Sequence, residues 1–291
     1  MIFMEKKKAY LTYFTGLLLF GSNGVIASFI ALSSHRIVLL RSVLGCALML
    51  VLFFATGRRF SFREHKKDLL FVAISGIAMA ADWLFLFEAY AQIGVSLGML
   101  INYTGPAIVI AASPLVLKEK ISRAKVIALT TALTGACLIS GQAAVSGLSV
   151  IGILCAILSA FSYAVMVLSN KLAGKISGFE NATLQILFTA ITVTVFSILR
   201  RDIPFAIDTA SWLPVLWLGL INTGLGCYFY FSSIGKLPAQ SVAVCGYIEP
   251  LSAVLLSAII LKEKLMPLQL LGAALIIGGA LYGELRDFSR T

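Results

Sequence analysis

One segment of this chain occurs twice. Tyr103-Thr104-Gly105-Pro106, an apolar run and Lys118-Glu119-Lys120 return as Tyr247-Ile248-Glu249-Pro250, an apolar run and Lys262-Glu263-Lys264, each position displaced by 144. The same displacement carries Ser113 onto Ser257, Leu117 onto Leu261 and Gly135-Ala136 onto Gly279-Ala280. A period held over so many positions is the duplication of a structural unit. Each copy reads as an apolar span with a proline near its middle and a charged stop at its end. Proline inside a helix removes one hydrogen bond and clashes with the carbonyl four residues back. Pro106 and Pro250 are therefore candidate helix kinks, and the oxygens of Asn102 and Gly246 are the acceptors expected to be released.

With 59% hydrophobic and 12% charged residues and a mean hydropathy of +0.97, the chain lies far from soluble composition. Nearly every apolar run reaches the roughly 20 residues that cross a hydrocarbon core. The expected fold is an all-α integral membrane protein, with the lipid bilayer as its first partner. The net charge of +10 resides in short loops at helix ends and forms no patch or stripe. Membrane orientation accounts for it better than nucleic acid, which is not expected as a partner. Cys46, Cys137, Cys155, Cys227 and Cys245 lie singly in apolar spans and read as core residues. Neither they nor His35 and His65 show metal-ligand spacing, so no metal and no cofactor are expected.

In chain order, Lys6-Lys7-Lys8 precede an apolar run over 10–30, longer than a signal core of about 7–15 residues, and this run is read as the first span. Further spans are expected at 36–56, 69–90, 96–117 and 124–141, and, after the charge-free connection 142–149, at 150–169, 182–199, 212–232, 239–261 and 267–284. That makes ten transmembrane helices, in two five-helix repeats at 10–141 and 150–284. With the N-terminus inside, Arg36, Arg200, Arg201, Lys262 and Lys264 fall outside and Arg41 falls within helix two. All other basic residues are then cytoplasmic, which favours both termini in the cytoplasm of a cell-membrane protein. Five is odd, so the second repeat enters the membrane inverted. Inverted repeats with interrupted helices are a recurrent plan of secondary transporters, whose site lies near the midplane between the repeats.

Ionisable groups at membrane depth face a cavity or a partner, because lipid exposure costs about 2.5–3.5 kcal/mol on insertion scales. Four are found: Arg41, Asp82, Glu88 and Glu249. Glu249 is a candidate proton-coupling or cation-binding carboxylate, or an ion-pair partner of Arg41 beside the proline. Asp82 next to Trp83 suits an ammonium group with an apolar body. Arg41 suits a carboxylate through its guanidinium fork, or snorkels to the outer headgroups. By helical phase Glu88 points about 120° away from Asp82. Tyr103 and Tyr247 precede their prolines by three residues and share a face with them. Phe87 and Phe231 coincide under the repeat shift, and Asn23, Asn102 and Asn222 add polar handles. Together these suit a mixed aromatic and polar pocket for a small molecule. Gly94 with Gly98, and Gly272 with Gly278-Gly279, read as close-packing positions, and the Lys-Glu-Lys stretches as helix ends.

The chain resembles the EamA-type, ten-helix members of the drug/metabolite transporter superfamily. The resemblance rests on the Pro-to-Lys-Glu-Lys helix ends followed by glycine-spaced helices at 106–136 and 250–280. It rests also on Gly21-Ser22-Asn23, Arg41, Phe85-Leu86-Phe87-Glu88-Ala89-Tyr90 and Glu249 before Pro250. It implies transport, usually export, of small metabolites such as amino acids through a central cavity opening alternately to each side. Gln185 stands where the repeat shift would put a second Arg41. Lipophilic drugs, sugars, nucleotide derivatives and quaternary amines are alternative cargoes. A membrane enzyme is disfavoured because the short loops carry no cluster of catalytic groups. A structural or sensor subunit has no need of inverted repeats. The chain lacks a phosphate-binding loop for ATP. Protons are the candidate coupling ion, and monomer and homodimer stay open.

Overall fold

Apolar runs with charges confined to their ends leave backbone groups in lipid no partners but one another, so the runs become helices. A computed structural model describes residues 2–61, 64–93, 95–140, 149–201, 207–260, 262 and 266–288. Every regular element among them is helical. The chain is an all-α membrane protein of ten spans in two inverted five-helix repeats.

Span one is α1 (Ile2–Gly21) and α2 (Asn23–Ala27), broken at Ser22; spans two and three are α3 (Ser34–Ala55) and α4 (Lys66–Ile93). Span four is α5 (Val95–Asn102) and α6 (Gly105–Val116), and span five is α7 (Arg123–Ser140). Spans six and seven are α8 (Val150–Leu172) and α9 (Gly178–Leu199). Span eight joins a 3-10 turn (Thr209–Ser211), α10 (Trp212–Leu216), a π-helical stretch (Trp217–Leu225) and α11 (Gly226–Ile234). Span nine is α12 (Ala239–Cys245) and α13 (Ile248–Ile260), and span ten is α14 (Pro267–Phe288). The connection 142–149 lies outside the described residues except for Ser149.

The packing repeats across a pseudo-two-fold axis. Span three lies on span six as span eight lies on span one; span two meets span eight as span seven meets span three. Spans two and seven pair across the axis, and so do five and ten. Two glycines show the symmetry at atomic scale. A Cβ on Gly135 would stand 2.5 Å from the Gly272 oxygen, and one on Gly279 would stand 2.9 Å from the Ala128 oxygen. Both the glycines and the oxygens facing them are related by the repeat shift. Spans five and ten therefore touch backbone to backbone. Of the other glycines read as packing positions, Gly98 abuts the Tyr90 ring, Gly278 meets nothing within 4 Å, and Gly94 lies outside the described residues.

Three expectations are corrected. Spans four and nine are each two helices rather than one kinked helix. Pro106 falls in the first turn of α6 and Pro250 in that of α13, where a missing N–H forfeits nothing. Of the two acceptors expected to be released, the Gly246 oxygen is engaged, and the Tyr103 oxygen is released as well. The Gly246 oxygen accepts from Glu249 N–H at 3.0 Å. The Ala107 N–H turns to the Thr104 oxygen, 2.9 Å, and the Tyr103 oxygen is instead taken by the Tyr247 hydroxyl at 2.6 Å. Finally, Cys46, Cys227 and Cys245 are buried, but Cys155 is half-buried and Cys137 exposed. The lipid-facing side of a span is as apolar as its core, so hydrophobicity alone does not separate them.

Lys118 and Lys262 share a left-handed backbone with the same φ of 57°. This conformation ends a helix by turning the chain back. The Lys-Glu-Lys stretches are thus helix stops, as their position in the sequence suggests.

Candidate central cavity

Between the repeats lies a cavity of about 610 Å³, lined by spans one, two, three, four, six, eight and nine. The two breaks in spans four and nine reach it through Asn102, Tyr103, Gly246 and Tyr247. It extends to the end of the bundle where spans one and two connect, because Ser28, Ile30, Leu32 and Ser34 also line it. Towards the other end it is closed. There α6 packs against α12, whereas among the described residues their repeat counterparts α13 and α5 share no comparable contact. A tyrosine layer separates the cavity from the closed half. The Tyr103 and Tyr247 rings lie 6.2 Å apart, and Tyr13, beneath Tyr230, donates to the Val242 oxygen at 2.8 Å.

The polar groups on the wall differ in how fully they are engaged. Asp82, 6% exposed, accepts through Oδ1 from Ser159 Oγ at 2.6 Å and from Asn102 Nδ2 at 3.1 Å. These bonds join spans three, four and six at one carboxylate oxygen. Arg41 donates from Nε to Thr223 Oγ1 at 2.9 Å, and its guanidinium carbon sits 4.3 Å from the Trp83 ring centroid. Its two terminal amino groups have no acceptor among the described residues. Thr223 is aimed by the π-helical stretch, in which its own hydroxyl donates five residues back to the Leu218 oxygen at 2.8 Å. The Glu249 carboxylate makes no hydrogen bond among the described residues, and lies within electrostatic reach of both Asp82 and Arg41. One guanidinium and two carboxyl groups therefore share one largely apolar chamber, where charge interactions are stronger than in water.

Of the residues singled out from sequence, Asn23, Arg41, Asp82, Trp83, Phe87, Asn102, Tyr103, Pro106, Tyr247 and Glu249 all line this cavity. Asn222, Glu88 and Pro250 do not. Asn222 is fully buried behind the wall, where its Nδ2 faces Leu19 O at 2.9 Å, Ser22 Oγ at 2.7 Å and Asn23 Oδ1 at 3.0 Å. It holds the break in span one rather than facing the chamber. Glu88 accepts from Gln92 at 3.1 Å on an exposed face, one turn along its own helix, and pairs with no arginine among the described residues. Arg41 does not snorkel; it is 5% exposed and held inward by Trp83 and Thr223. Tyr163, Tyr230, Ser159 and Thr223 escaped the sequence reading, and Tyr90 entered it only within the segment 85–90. A lone hydroxyl in an apolar span carries no pattern, and only the packing of spans three on six and two on eight brings these to the site.

Broken spans facing each other across a shared chamber, in inverted repeats, define a membrane transporter. The chain belongs to the EamA-like transporter family, which matches it twice, over residues 7–141 and 150–282. Among its relatives is the uncharacterized transporter YxxF of Bacillus subtilis (strain 168), 23% identical over 279 residues, covering 94% of this chain and 89% of that protein. Another is the uncharacterized transporter YetK of the same organism, 28% identical over 250 residues, covering 82% and 75%. A solved crystal structure at 21% identity superposes with a TM-score of 0.80 over 96% of this chain and 98% of its own, which shows the shared fold.

Proposed function

We propose that the protein exports small zwitterions or amines, amino acids foremost, across the cell membrane by alternating access, with both termini cytoplasmic and protons as the coupling ion. The observation that carries this reading is the pairing, in one cavity, of Arg41 amino groups and a Glu249 carboxylate that, among the described residues, have no hydrogen-bond partner. A guanidinium edge suits a solute carboxylate, and a carboxylate in an apolar chamber suits an ammonium group or a proton. Trp83, Phe87, Tyr103 and Tyr247 offer faces for the apolar body and for cation–π contact. Competition between proton and ammonium for Glu249 would exchange one for the other across the membrane. Two carboxyl groups set against one guanidinium disfavour polyanions such as nucleotide derivatives.

The test is counterflow. Purified protein in liposomes, loaded with a labelled amino acid or amine, should exchange it against the same solute outside, faster with an opposing pH gradient. Exchange of lipophilic cations alone would favour drug efflux, and failure of every zwitterion and amine would overturn the reading.

A further inference from the structure

The two ends of the bundle are held by two kinds of tie. At one end Ser61 donates to Glu180 through its N–H, 2.7 Å, and its hydroxyl, 2.8 Å, joining the connection after span two to span seven. At the other end the Ala31 N–H donates to Ser211 Oγ at 3.1 Å, joining the connection after span one to span eight. The repeat counterpart of this second tie is the Lys175 N–H on Asp68 Oδ1 at 3.0 Å, so the two related junctions are present in one conformation. Both belong to the fixed frame. The tie at the closed end of the cavity is different, because it joins the ends of the two broken spans.

Glu119, the centre of the first Lys-Glu-Lys stretch, accepts through Oε1 from the N–H of Ala239, the first residue of α12, at 3.0 Å. Beside it Gln240 donates to the Lys120 oxygen at 2.9 Å, and Lys125, 1% exposed, donates to Ser241 Oγ at 2.9 Å. Three consecutive residues of α12 are thus bonded to the connection between spans four and five. Glu119 Oε2 is buried with no hydrogen-bond partner among the described residues. Its charge is met by Lys171, which lies within electrostatic reach and donates to the oxygens of Ile234, 3.1 Å, and Leu237. These oxygens belong to the last residue of span eight and to the connection that follows it. A carboxylate with one oxygen fully used and the other buried without a donor holds the connection while leaving part of its desolvation uncompensated. Such a contact is strong enough to close an end and weak enough to release.

We propose that Glu119 is the latch that keeps the cavity shut at the end bearing the connections between spans four and five and between spans eight and nine. Letting go of Ala239, Gln240 and Ser241 frees α12 from α6 and opens the tyrosine layer from that side. The left-handed backbone at Lys118 places Glu119 against α12 directly after the end of α6, so the helix stop and the latch are one device. This inference concerns the closed end and does not depend on which solute is carried.

The native Cys245, 1% exposed at the end of α12, reports the opening. In full-length protein in liposomes, with Cys46, Cys137, Cys155 and Cys227 replaced by serine or alanine, a membrane-impermeant maleimide is applied separately from each side. Glu119→Ala should raise the labelling rate of Cys245 from the latched side by about 10-fold, the loss of one charge-assisted hydrogen bond, and leave the opposite side unchanged. Glu119→Gln, which still accepts from Ala239, should fall between. Glu263→Ala, the sequence counterpart in the second repeat, should give no rise on that side. Unchanged labelling in a Glu119→Ala protein that melts as the parent does would overturn the proposal. So would an equal rise from both sides, which is general loosening, and so would loss of folding in Glu119→Ala with Glu119→Gln labelling as the parent.

Discussion

Two polar clusters sit on helix pairs related by the repeat, and they have opposite characters. Where span three packs on span six, Asp82 gathers Ser159 and Asn102 at the cavity wall. Where span eight packs on span one, Asn222 gathers Ser22, Asn23 and the Leu19 oxygen behind the wall. The first cluster puts a charge on the chamber; the second is neutral and sealed, and its work is to hold a helix break. The glycines of spans five and ten obey the two-fold relation, as do the left-handed lysines. The charged groups do not, since Arg41 answers to Gln185. Duplication therefore supplied the scaffold, and the site was built on it asymmetrically.

Exchanging the characters of the two clusters is the severest trial of this contrast. Asn222→Asp would aim a carboxylate oxygen at three acceptors 2.7–3.0 Å away. An uncompensated buried charge costs about 3–5 kcal/mol, so the folded yield and melting temperature should drop sharply. A protein that folds normally would show that the sealed cluster tolerates charge and that the contrast is false. In the chamber, Glu249→Gln should fold as the parent does yet lose transport by about 10- to 100-fold, the worth of one charged hydrogen bond to the solute. Its rate should also stop responding to the pH gradient. Undiminished pH dependence would remove Glu249 from coupling. Asp82→Asn keeps an oxygen for Ser159 and Asn102, so about 10-fold weaker uptake of cationic and zwitterionic solutes is expected, with stability changed by less than about 1 kcal/mol. A loss of folding without a change in selectivity would reduce Asp82 to a structural group.

The scaffold half of the contrast is checked by substitutions in pairs. Gly135→Ala and Gly279→Ala each press a methyl group onto a backbone oxygen across the span five and ten contact, at an expected loss of about 1–3 kcal/mol apiece. Thermal melting in detergent should move by similar amounts for both; tolerance at one site alone would break the symmetry. The smallest effect is a gain. Lys118→Gly relieves a left-handed conformation that disfavours a side chain, and should stabilise the protein by about 1 kcal/mol.

Sequence reasoning reached the repeats, the inversion and the charged groups of the cavity wall because each leaves a one-dimensional trace. The shift of 144, the count of spans and the rarity of charge in apolar runs are visible without coordinates. What it missed depends on where helices break and how they cross. Glu88 and Asp82 look alike in sequence, yet one turn of helix and a neighbouring Gln92 take Glu88 away from the chamber. Asn222 and Asn102 look alike too, and only the break in span one makes the first a clamp and leaves the second on the wall. Thr223 was out of reach, because nothing in the residues around it announces the π-helical stretch that turns it towards Arg41.

The inverted relation of the two halves is tested most directly by the two lysines that end α6 and α13. With the native cysteines replaced, Lys118→Cys and Lys262→Cys are labelled in turn by an impermeant reagent added to one face of sealed vesicles. Labelling from opposite faces is the result expected of two halves threaded in opposite senses around a shared chamber. Labelling of both from the same face would contradict it.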